Sequence, residues 1–409
     1  MKTKATAYAS ALITSMTANV YADYSHVEEI NITGHQSKPA LSLEISPNGD
    51  SAIDSGALLK KVPGANLNSN GAVTGIAQYR GLYGDRVSIN IDHAPSLTGG
   101  PNAMDTPLSY TPPMLLKSLE VHRGIAPVSV AQESLGGHMT ANLDRGAFTS
   151  GKEATFSGEF FSRFNSTNDG FSNGMKSVLA NQNHKVSVLA SHDEGDETRF
   201  DSNDEIGGTQ YRRSRYDISY GWQNDDTVLE VYAGKLDTRD TGTPSLPMDI
   251  GHIDSDMVGA NLTKTFDDVV VSGNLSYNHV DHGMDNFSQR PAPMPSMFRQ
   301  NNATAHNTAW SLQAKLPLSI GSSDGFLTIG TDGNETVHDS TITNPNNTMF
   351  EVKNFEEVER DSYGIFSEWE GNVGNWQVET GVRYTRVSMD SGDVSASGMM
   401  GAMGVNAGL

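Results

Sequence analysis

The chain has 409 residues, and its 28 Lys and Arg against 49 Asp and Glu give a formal net charge of −21. This acidic balance argues against a nucleic-acid partner, which needs a basic footprint. The absence of cysteine excludes disulfides, Cys-ligated zinc and iron–sulfur clusters. The sequence contains no run of 18 apolar residues, so a transmembrane helix is excluded as well. Composition therefore leaves two classes, a soluble protein or a membrane β-barrel.

Residues 1–22 have the order of a secretory signal peptide. Lys2 and Lys4 precede a weakly apolar stretch, and Val20-Tyr21-Ala22 is a small-residue cleavage site. A disordered N-terminal tail is the alternative, because the apolar stretch contains several Thr and Ser. If this signal directs export and no later helix stops the chain in the inner membrane, the predicted destination is the periplasm, the medium or an outer membrane.

Residues 23–50 are polar and contain one patterned run, residues 28–34. Ile30 and Ile32 alternate there with polar side chains, so this run can add as a strand to the sheet edge of another protein. A short edge strand of the chain's own fold has the same pattern.

Residues 51–148 are predicted to form a compact α+β domain. Within it, residues 54–64 predict a short helix that ends at Pro63-Gly64, since Pro and Gly stop helices. Residues 86–92 alternate strictly between polar and apolar side chains, which predicts a half-buried strand.

From residue 152 onward, apolar and polar side chains alternate in eleven segments that predict strands. These segments are residues 154–163, 174–181, 184–192, 211–222, 227–237, 257–266, 269–280, 306–317, 326–338, 360–370 and 375–389. Short connections alternate with long acidic ones such as 193–208, 237–256 and 281–305. This asymmetry is typical of an outer-membrane barrel. A soluble β-sandwich or propeller explains the alternation of side chains but not that of the connections.

Aromatic residues lie near the ends of several predicted strands, where a membrane barrel carries its interfacial girdles. They are Tyr211, Trp222, Tyr277, Trp310, Trp369 and Trp376. This pattern favours the barrel over the soluble alternatives.

Four motifs follow one another within residues 51–148. They are Leu58 to Gly64, Gln78 to Val87, Ile91 to Pro95, and Leu119 to Gly124 with Ser134 to Gly137. In this order they resemble the plug of TonB-dependent outer-membrane receptors, and the resemblance covers essentially the whole mature chain. It implies a small α+β plug domain followed by an all-β antiparallel transmembrane β-barrel. Of the 22 strands expected for such a barrel, about 11 are present.

The resemblance implies a signal peptide at 1–22, a periplasmic segment at 23–50, a plug at 51–148 and the N-terminal half of the barrel at 152–409. The C-terminal half is expected to be missing, because the chain ends on a loop without the terminal strand of such barrels. The implied location is the cell outer membrane of a Gram-negative bacterium.

By the same resemblance, part of the N-terminal segment is the TonB box, the strand that TonB contacts across the periplasm. Its residues are Glu29, Ile30, Asn31, Ile32, Thr33 and Gly34. The implied partners are TonB with its inner-membrane energising complex, outer-membrane lipid and a small ligand or metal. No catalytic constellation such as His-Glu-x-x-His or Gly-x-Ser-x-Gly occurs, so we do not expect an enzyme, and no cofactor is required.

A narrower resemblance concerns the ligand. Residues 100–105 and 280–287 are similar to pieces of TonB-dependent copper receptors, which hold copper with a plug Cys-x-x-x-Met and a barrel His-x-Met. Met104, His282 and Met284 occupy the matching positions, whereas Gly100 stands in place of the Cys. Thioether and imidazole groups suit soft copper, especially Cu(I), so we predict a metal site with these three ligands.

Other Met residues lie in the predicted outer loops, where they either pass a soft metal towards the site or are merely flexible loop residues. They are Met248, Met294, Met297, Met399, Met400 and Met403. The sequence thus predicts an outer-membrane receptor that imports a scarce ligand, copper in the leading hypothesis. A siderophore or another metal chelate is the alternative within this class. A passive pore or a surface adhesin is the alternative from another class.

Overall fold

The computed structural model of the chain describes residues 42–45, 52–99, 105–123, 125–130, 135–201, 204–393 and 395–397. Their helices are short 3-10 turns. These are Ser55–Lys61, Gly84–Arg86, Pro107–Tyr110, Pro113–Leu115 and Pro295–Met297. None of the helices in these ranges is long and apolar enough to cross a membrane.

Eight strands with their connections form a small domain, which we call the plug. The strands are β1 (Ser42–Ile45), β2 (Ala65–Ser69), β3 (Gly75–Tyr79), β4 (Leu82–Tyr83), β5 (Ser88–Ile91), β6 (Ala94–Pro95), β7 (Leu116–His122) and β8 (His138–Leu143). Five of them make a sheet of order β1-β7-β8-β5-β6, in which β5 and β8 are parallel. The other three form the sheet β2-β3-β4.

The helix predicted near residues 54–64 is the 3-10 helix Ser55–Lys61. It begins after Asp54, whose buried side chain accepts a hydrogen bond from the Gly56 N–H at 2.9 Å. The other oxygen of the Asp54 carboxylate accepts from the Gly75 N–H at 2.7 Å. Asp54 therefore caps the helix and ties it to strand β3.

Eleven long antiparallel strands follow in chain order, and we call them the barrel sheet. They are β9 (Thr155–Asn165), β10 (Gly170–Ala180), β11 (His184–Gly195), β14 (Tyr211–Gln223), β15 (Thr227–Thr241), β16 (Asp249–Phe266), β17 (Val269–Asp285), β18 (Gln300–Pro317), β19 (Gly325–Thr343), β20 (Glu351–Val373) and β21 (Trp376–Asp390). Each pairs with its neighbour in this order, and β22 (Ser395–Ala396) adds to β20. A separate pair, β12 (Thr198–Arg199) and β13 (Glu205–Ile206), lies in the connection between β11 and β14.

Each predicted strand of the barrel sheet corresponds to one observed strand, but the strand ends differ on the side of the long connections. Strand β16 begins at Asp249, β17 runs to Asp285 and β18 begins at Gln300, so much of the predicted loops 237–256 and 281–305 is strand. The outward side chains of these extensions are polar, as at Asp254 and Asp281, and several inward ones such as Ile250 and Ile253 are apolar, so the alternation of the barrel strands is lost there. The asymmetry of the connections also has an exception, because only four residues join β9 to β10.

Strand β14 shows how the two faces of the barrel sheet differ. Its buried side chains include Arg213, Arg215 and Asp217, whereas Tyr216 and Ile218 are exposed. A soluble sheet has the reverse pattern, with apolar residues inside. Polar residues facing inward and apolar residues facing outward are the pattern of a membrane barrel.

The predicted aromatic girdle is only partly correct. Tyr277 and Trp376 face outward and are exposed, but Tyr211 is 3% exposed and lies on the inward face with Arg213. Trp369 is on the outward face, since its neighbour Glu368 contacts Ser129 of the plug, and its indole N–H donates to the Leu318 carbonyl at 2.9 Å. A phenol is also suited to a polar interior, and position near a strand end did not distinguish the two faces for Tyr211.

The apolar core of the plug extends to one strand of the barrel sheet. Its fully buried members include Leu58, Leu115, Leu119 and Ala141 from the plug and Leu189 from β11. Each fully buried Leu contributes about 1.5–3 kcal/mol from burial, so this cluster stabilises the plug itself and its contact with β11.

A polar network between the plug and the barrel sheet surrounds Arg145, just after β8. Its guanidinium contacts Asp92 of the plug and Asp217 of β14, both at 2.8 Å. The same group lies 4.2 Å from the ring centroid of Tyr232 in β15. These buried carboxylates depend on Arg145 for compensation of their charge.

We predict that Arg145→Met destabilises the chain by about 3–5 kcal/mol, because it removes the cation from the buried Asp92 carboxylate and leaves Asp217 with Arg215 alone, at 3.5 Å. The measurement is thermal unfolding of the detergent-purified chain. Arg212→Met is the matched control. Arg212 of β14 pairs with Asp240 of β15 on the exposed face of the sheet, and the loss of this pair should have little effect. Equal unfolding temperatures for the two variants would contradict the prediction.

Candidate functional site

Strand β17 presents two of the predicted ligands to the plug. His282 is 1% exposed and Met284 is 2% exposed, whereas Asp281, the residue before His282, points to the other face and is half-exposed. Residues i and i+2 of a strand share one face, so His282 and Met284 lie side by side towards the plug.

His282 contacts a carboxylate of the plug. Its Nδ1 atom lies 3.5 Å from Oδ1 of Asp105, and both side chains are buried. The other carboxylate oxygen accepts hydrogen bonds from the Gly99 N–H at 2.6 Å and from the Tyr110 hydroxyl at 2.5 Å. The Asp105 carboxylate therefore links strand β17, through His282, to the 3-10 helix Pro107–Tyr110 and to Gly99.

The surroundings of Asp105 keep it ionised. Burial alone raises the pKa of a carboxyl, but the interaction with His282 and hydrogen bonds from Tyr110 and Gly99 hold the pKa of Asp105 below its usual range. Burial and the Asp105 charge raise the pKa of the Tyr110 phenol well above its usual value. The phenol thus stays protonated and donates to the carboxylate.

The second ring nitrogen of His282 is different. Its Nε2 atom is buried and has no hydrogen-bond partner within the described part of the chain. A buried polar atom without a partner is costly and needs an explanation. An imidazole held at Nδ1 and unpartnered at Nε2 is the arrangement of a metal-binding histidine.

Met284 belongs to an apolar cluster that joins the plug to strands β15 to β18. The cluster consists of Ile91, Leu97, Tyr110, Tyr232, Leu236, Ile250, Ile253, Met257, Val280, Met284 and Ala305. The Met284 thioether is therefore buried among apolar groups and lies beside the His282 imidazole. Thioether and imidazole groups are ligands that soft metals prefer.

The other predicted metal residues are distributed differently. Met248 packs against the apolar cluster around Met284, whereas Met294 and Met297, beside the turn Pro295–Met297, are 67% and 52% exposed. Several predicted residues lie outside the described ranges. These are Met104, Met399, Met400 and Met403, and Glu29, Ile30, Asn31, Ile32, Thr33 and Gly34. Within the described ranges, no group of three or more His, Asp and Glu side chains is placed to hold a metal ion.

A second histidine of the barrel sheet contacts the same part of the plug. His338 of β19 lies with Nε2 3.1 Å from the Thr98 carbonyl oxygen. Gly99 follows, and a Cβ added there would lie 2.7 Å from Cγ1 of Val280 and 3.0 Å from Cβ of His282. Residues 100–104 therefore connect two positions, Gly99 and Asp105, that both contact His282.

Sequence reasoning did not assign a role to Asp105, Tyr110 or His338. Asp105 directly follows Met104 in the motif at residues 100–105, and this adjacency is the one signal that pointed to it. The contacts of Tyr110 and His338 join distant parts of the chain and leave no local pattern.

The site lies near the end of an outward-facing apolar belt. On β16 the outward side chains Val258 and Leu262 are apolar, and towards the long connections they give way to charged ones. Arg239 of β15 pairs with Asp254 there at 2.8 Å. His282 pairs in register with Ile253, one residue beyond Asp254, so it lies at the charged end of the sheet.

A plug packed against an antiparallel sheet with a polar inner face defines the class of protein, and family comparisons agree. Residues 49–138 match the TonB-dependent Receptor Plug Domain, and residues 190–407 match the family described as TonB dependent receptor-like, beta-barrel. The chain belongs to the TonB-dependent receptor family. Members of this family are receptors and transporters rather than enzymes.

Several solved structures have the same fold. The copper transporter OprC is 22% identical with a TM-score of 0.73, covering 87% of this chain and 58% of that chain. A mutant of the ferric enterobactin receptor PfeA from Pseudomonas aeruginosa is 15% identical with a TM-score of 0.64, covering 85% and 58%. The hemophore receptor HasR from Serratia marcescens, a double mutant, is 16% identical with a TM-score of 0.69, covering 85% and 52%.

The chain spans somewhat more than half the length of these solved structures. A comparison with curated proteins finds no match. At these identities the likeness to the solved structures establishes the fold.

We predict that Gly99→Ala separates the plug from β17, because the added Cβ would be too close to Val280 and His282. Such overpacking costs about 1–3 kcal/mol, which thermal unfolding measures. Gly251→Ala on the adjacent strand is the control, since its Cβ would have only an ordinary contact at 3.5 Å. If both variants unfold at the native temperature, the close approach at Gly99 is not required.

Proposed function

We propose that this protein binds copper, as Cu(I), between the plug and the barrel sheet and imports it by energy-coupled plug rearrangement. His282, Met284 and Met104 are the proposed ligands. The observation that carries this proposal is the buried Nε2 atom of His282, which has no hydrogen-bond partner among the described residues and lies beside the Met284 thioether on one strand face.

The chemistry of these residues supports a soft metal. Hard cations such as Ca²⁺ take six to eight oxygen ligands, whereas the last two inward side chains of β17 before its end are one imidazole and one thioether. Met104 is bonded to Asp105, whose carboxylate contacts His282. A third ligand from the plug would make metal binding depend on the position of the plug. The similarity in fold to a copper transporter is consistent with this choice of ligand.

Family membership supports the mode of transport. We propose that the barrel lies in the outer membrane, exported by the signal at 1–22, with its long connections outside. TonB would then contact residues 29–34 from the periplasm and displace the plug. The exposed Met294 and Met297, with Met248 beside the apolar cluster, would pass copper inward, and the same role is proposed for Met399, Met400 and Met403.

A ferric siderophore or another metal chelate is the second candidate, and Gly100 is the observation that favours it. Glycine removes the thiolate that the copper receptors use at this position, which weakens a site for a soft metal. Growth under copper limitation and under iron limitation, with and without the gene, separates the two ligands.

Copper binding is tested with purified protein and a Cu(I)-chelating dye as the competitor. We predict that the native chain takes Cu(I) from the dye and that the double variant Met104→Ala, His282→Ala binds it at least about 100-fold more weakly, since even residues behind the ligands contribute 10–100-fold. Met175→Ala is the control, because Met175 faces outward on β10 and should leave binding unchanged.

Equal Cu(I) affinity of the native chain and the double variant would show that the ligand assignment is wrong. Loss of binding in Met175→Ala as well would mean that the effect is not specific to the site.

Coupling to TonB is tested in cells. We predict that deletion of residues 28–34 abolishes energised copper uptake while the protein remains in the outer membrane and still binds Cu(I). Uptake that continues at the native rate after the deletion would identify a passive pore instead. Binding of cells to a surface, without uptake in either form, would identify an adhesin.

A further inference from the structure

Asp105 is a charged side chain between the plug and the barrel sheet, and the stability of the fold does not by itself require a charge at this position. It is buried, and it lies on the plug opposite a histidine of the barrel sheet. Its Oδ2 atom is occupied by Gly99 and Tyr110 of the plug itself. Its Oδ1 atom faces Nδ1 of His282, and Nε2 on the far side of the same ring has no partner among the described residues.

From this geometry we infer that Asp105 is the positioning residue of the site, and that it acts through His282. Its carboxylate holds the Nδ1 side of the imidazole, fixes the ring orientation and leaves Nε2 directed at the ligand. This inference rests on the proposed function and adds the residue that prepares the site.

Two features make Asp105 suited to this task. Its own position is fixed by two short hydrogen bonds within the plug, so the carboxylate is rigid before His282 contacts it. A carboxylate behind a metal-binding histidine also makes the imidazole a stronger donor and selects which ring nitrogen is free. Arg145 does not serve here, because it pairs with Asp92 and Asp217.

Charge provides a separate argument. An imidazole and two thioethers are neutral, and a buried cation bound only by neutral groups lacks compensation. Asp105 supplies one negative charge beside the site. With Gly100 at the position where the copper receptors have a thiolate, this carboxylate is the compensating charge that the described residues place against His282. One negative charge matches a monovalent soft ion.

The arrangement also links binding to the plug. Asp105 belongs to the plug and His282 to the barrel sheet, so any movement of the plug away from β17 removes the carboxylate from the imidazole. The ring then loses its fixed orientation and the site loses its charge. Release of the metal follows from the same displacement that opens a path for it.

The test compares four forms of the full chain in detergent, titrated with Cu(I) and with Ag(I), a monovalent soft ion that is not oxidised. We expect Asp105→Asn to weaken binding by about 10–100-fold. Asp281→Asn is the matched control, since it makes the same change at the residue before His282, whose half-exposed carboxylate contacts His252 on the other face of the sheet, and it should change binding little. His282→Ala should bind more weakly than all the others.

X-ray absorption of metal-loaded Asp105→Asn distinguishes positioning from a general structural role. Loss of the nitrogen ligand with retention of sulfur ligands is the expected spectrum. If Asp105→Asn binds like the native chain while His282→Ala does not, the role of Asp105 is refuted and the copper site stands. If the native chain binds neither ion, the proposed function is wrong.

If the native chain binds neither ion, a measurement without metal still tests whether Asp105 positions the His282 ring. The ¹⁵N spectrum of the imidazole, assigned to His282 by its absence in His282→Ala, should show an Nδ1 hydrogen bond that disappears in Asp105→Asn and persists in Asp281→Asn. An unchanged His282 signal in Asp105→Asn would refute the positioning role.

Discussion

A buried carboxylate must be compensated, and at Asp105 this requirement connects the two halves of the structure. The plug supplies Tyr110 and the Gly99 N–H to one oxygen, and the barrel sheet supplies His282 to the other. A charge that needs partners from both domains is fully satisfied only when they are in contact. The proposed site is therefore complete only when the plug is in place, which is what a gated receptor requires.

The same logic applies to other polar contacts between plug and barrel sheet. Arg145 joins the two domains through buried ion pairs, and Arg213 of β14 donates to the Ser109 carbonyl at 2.9 Å. Polar contacts of this kind are specific in geometry, yet buried ion pairs add little net stability compared with apolar packing. Such polar contacts hold the plug in one position, and water can replace them if the plug moves.

The sequence predicted the order of the strands, because it follows from local alternation, and the resemblance to copper receptors singled out His282 and Met284. The sequence did not predict the full length of β16 to β18, since side chains such as Asp254 and Asp281 are polar beyond the apolar belt and hide the strand period. It also missed the pairing of Asp105 with His282 and of His338 with Thr98. Those contacts depend on how the plug sits against the sheet, which no local pattern records.

The central claim, that a soft metal is held between plug and barrel at His282, is tested most directly by locating the ion itself. Crystals of the protein grown with Cu(I) or Ag(I) would be measured by anomalous diffraction. We predict one strong anomalous peak within bonding distance of the His282 Nε2 atom and the Met284 sulfur. A map with no peak there, or with peaks only at the exposed Met294 and Met297, would contradict the account.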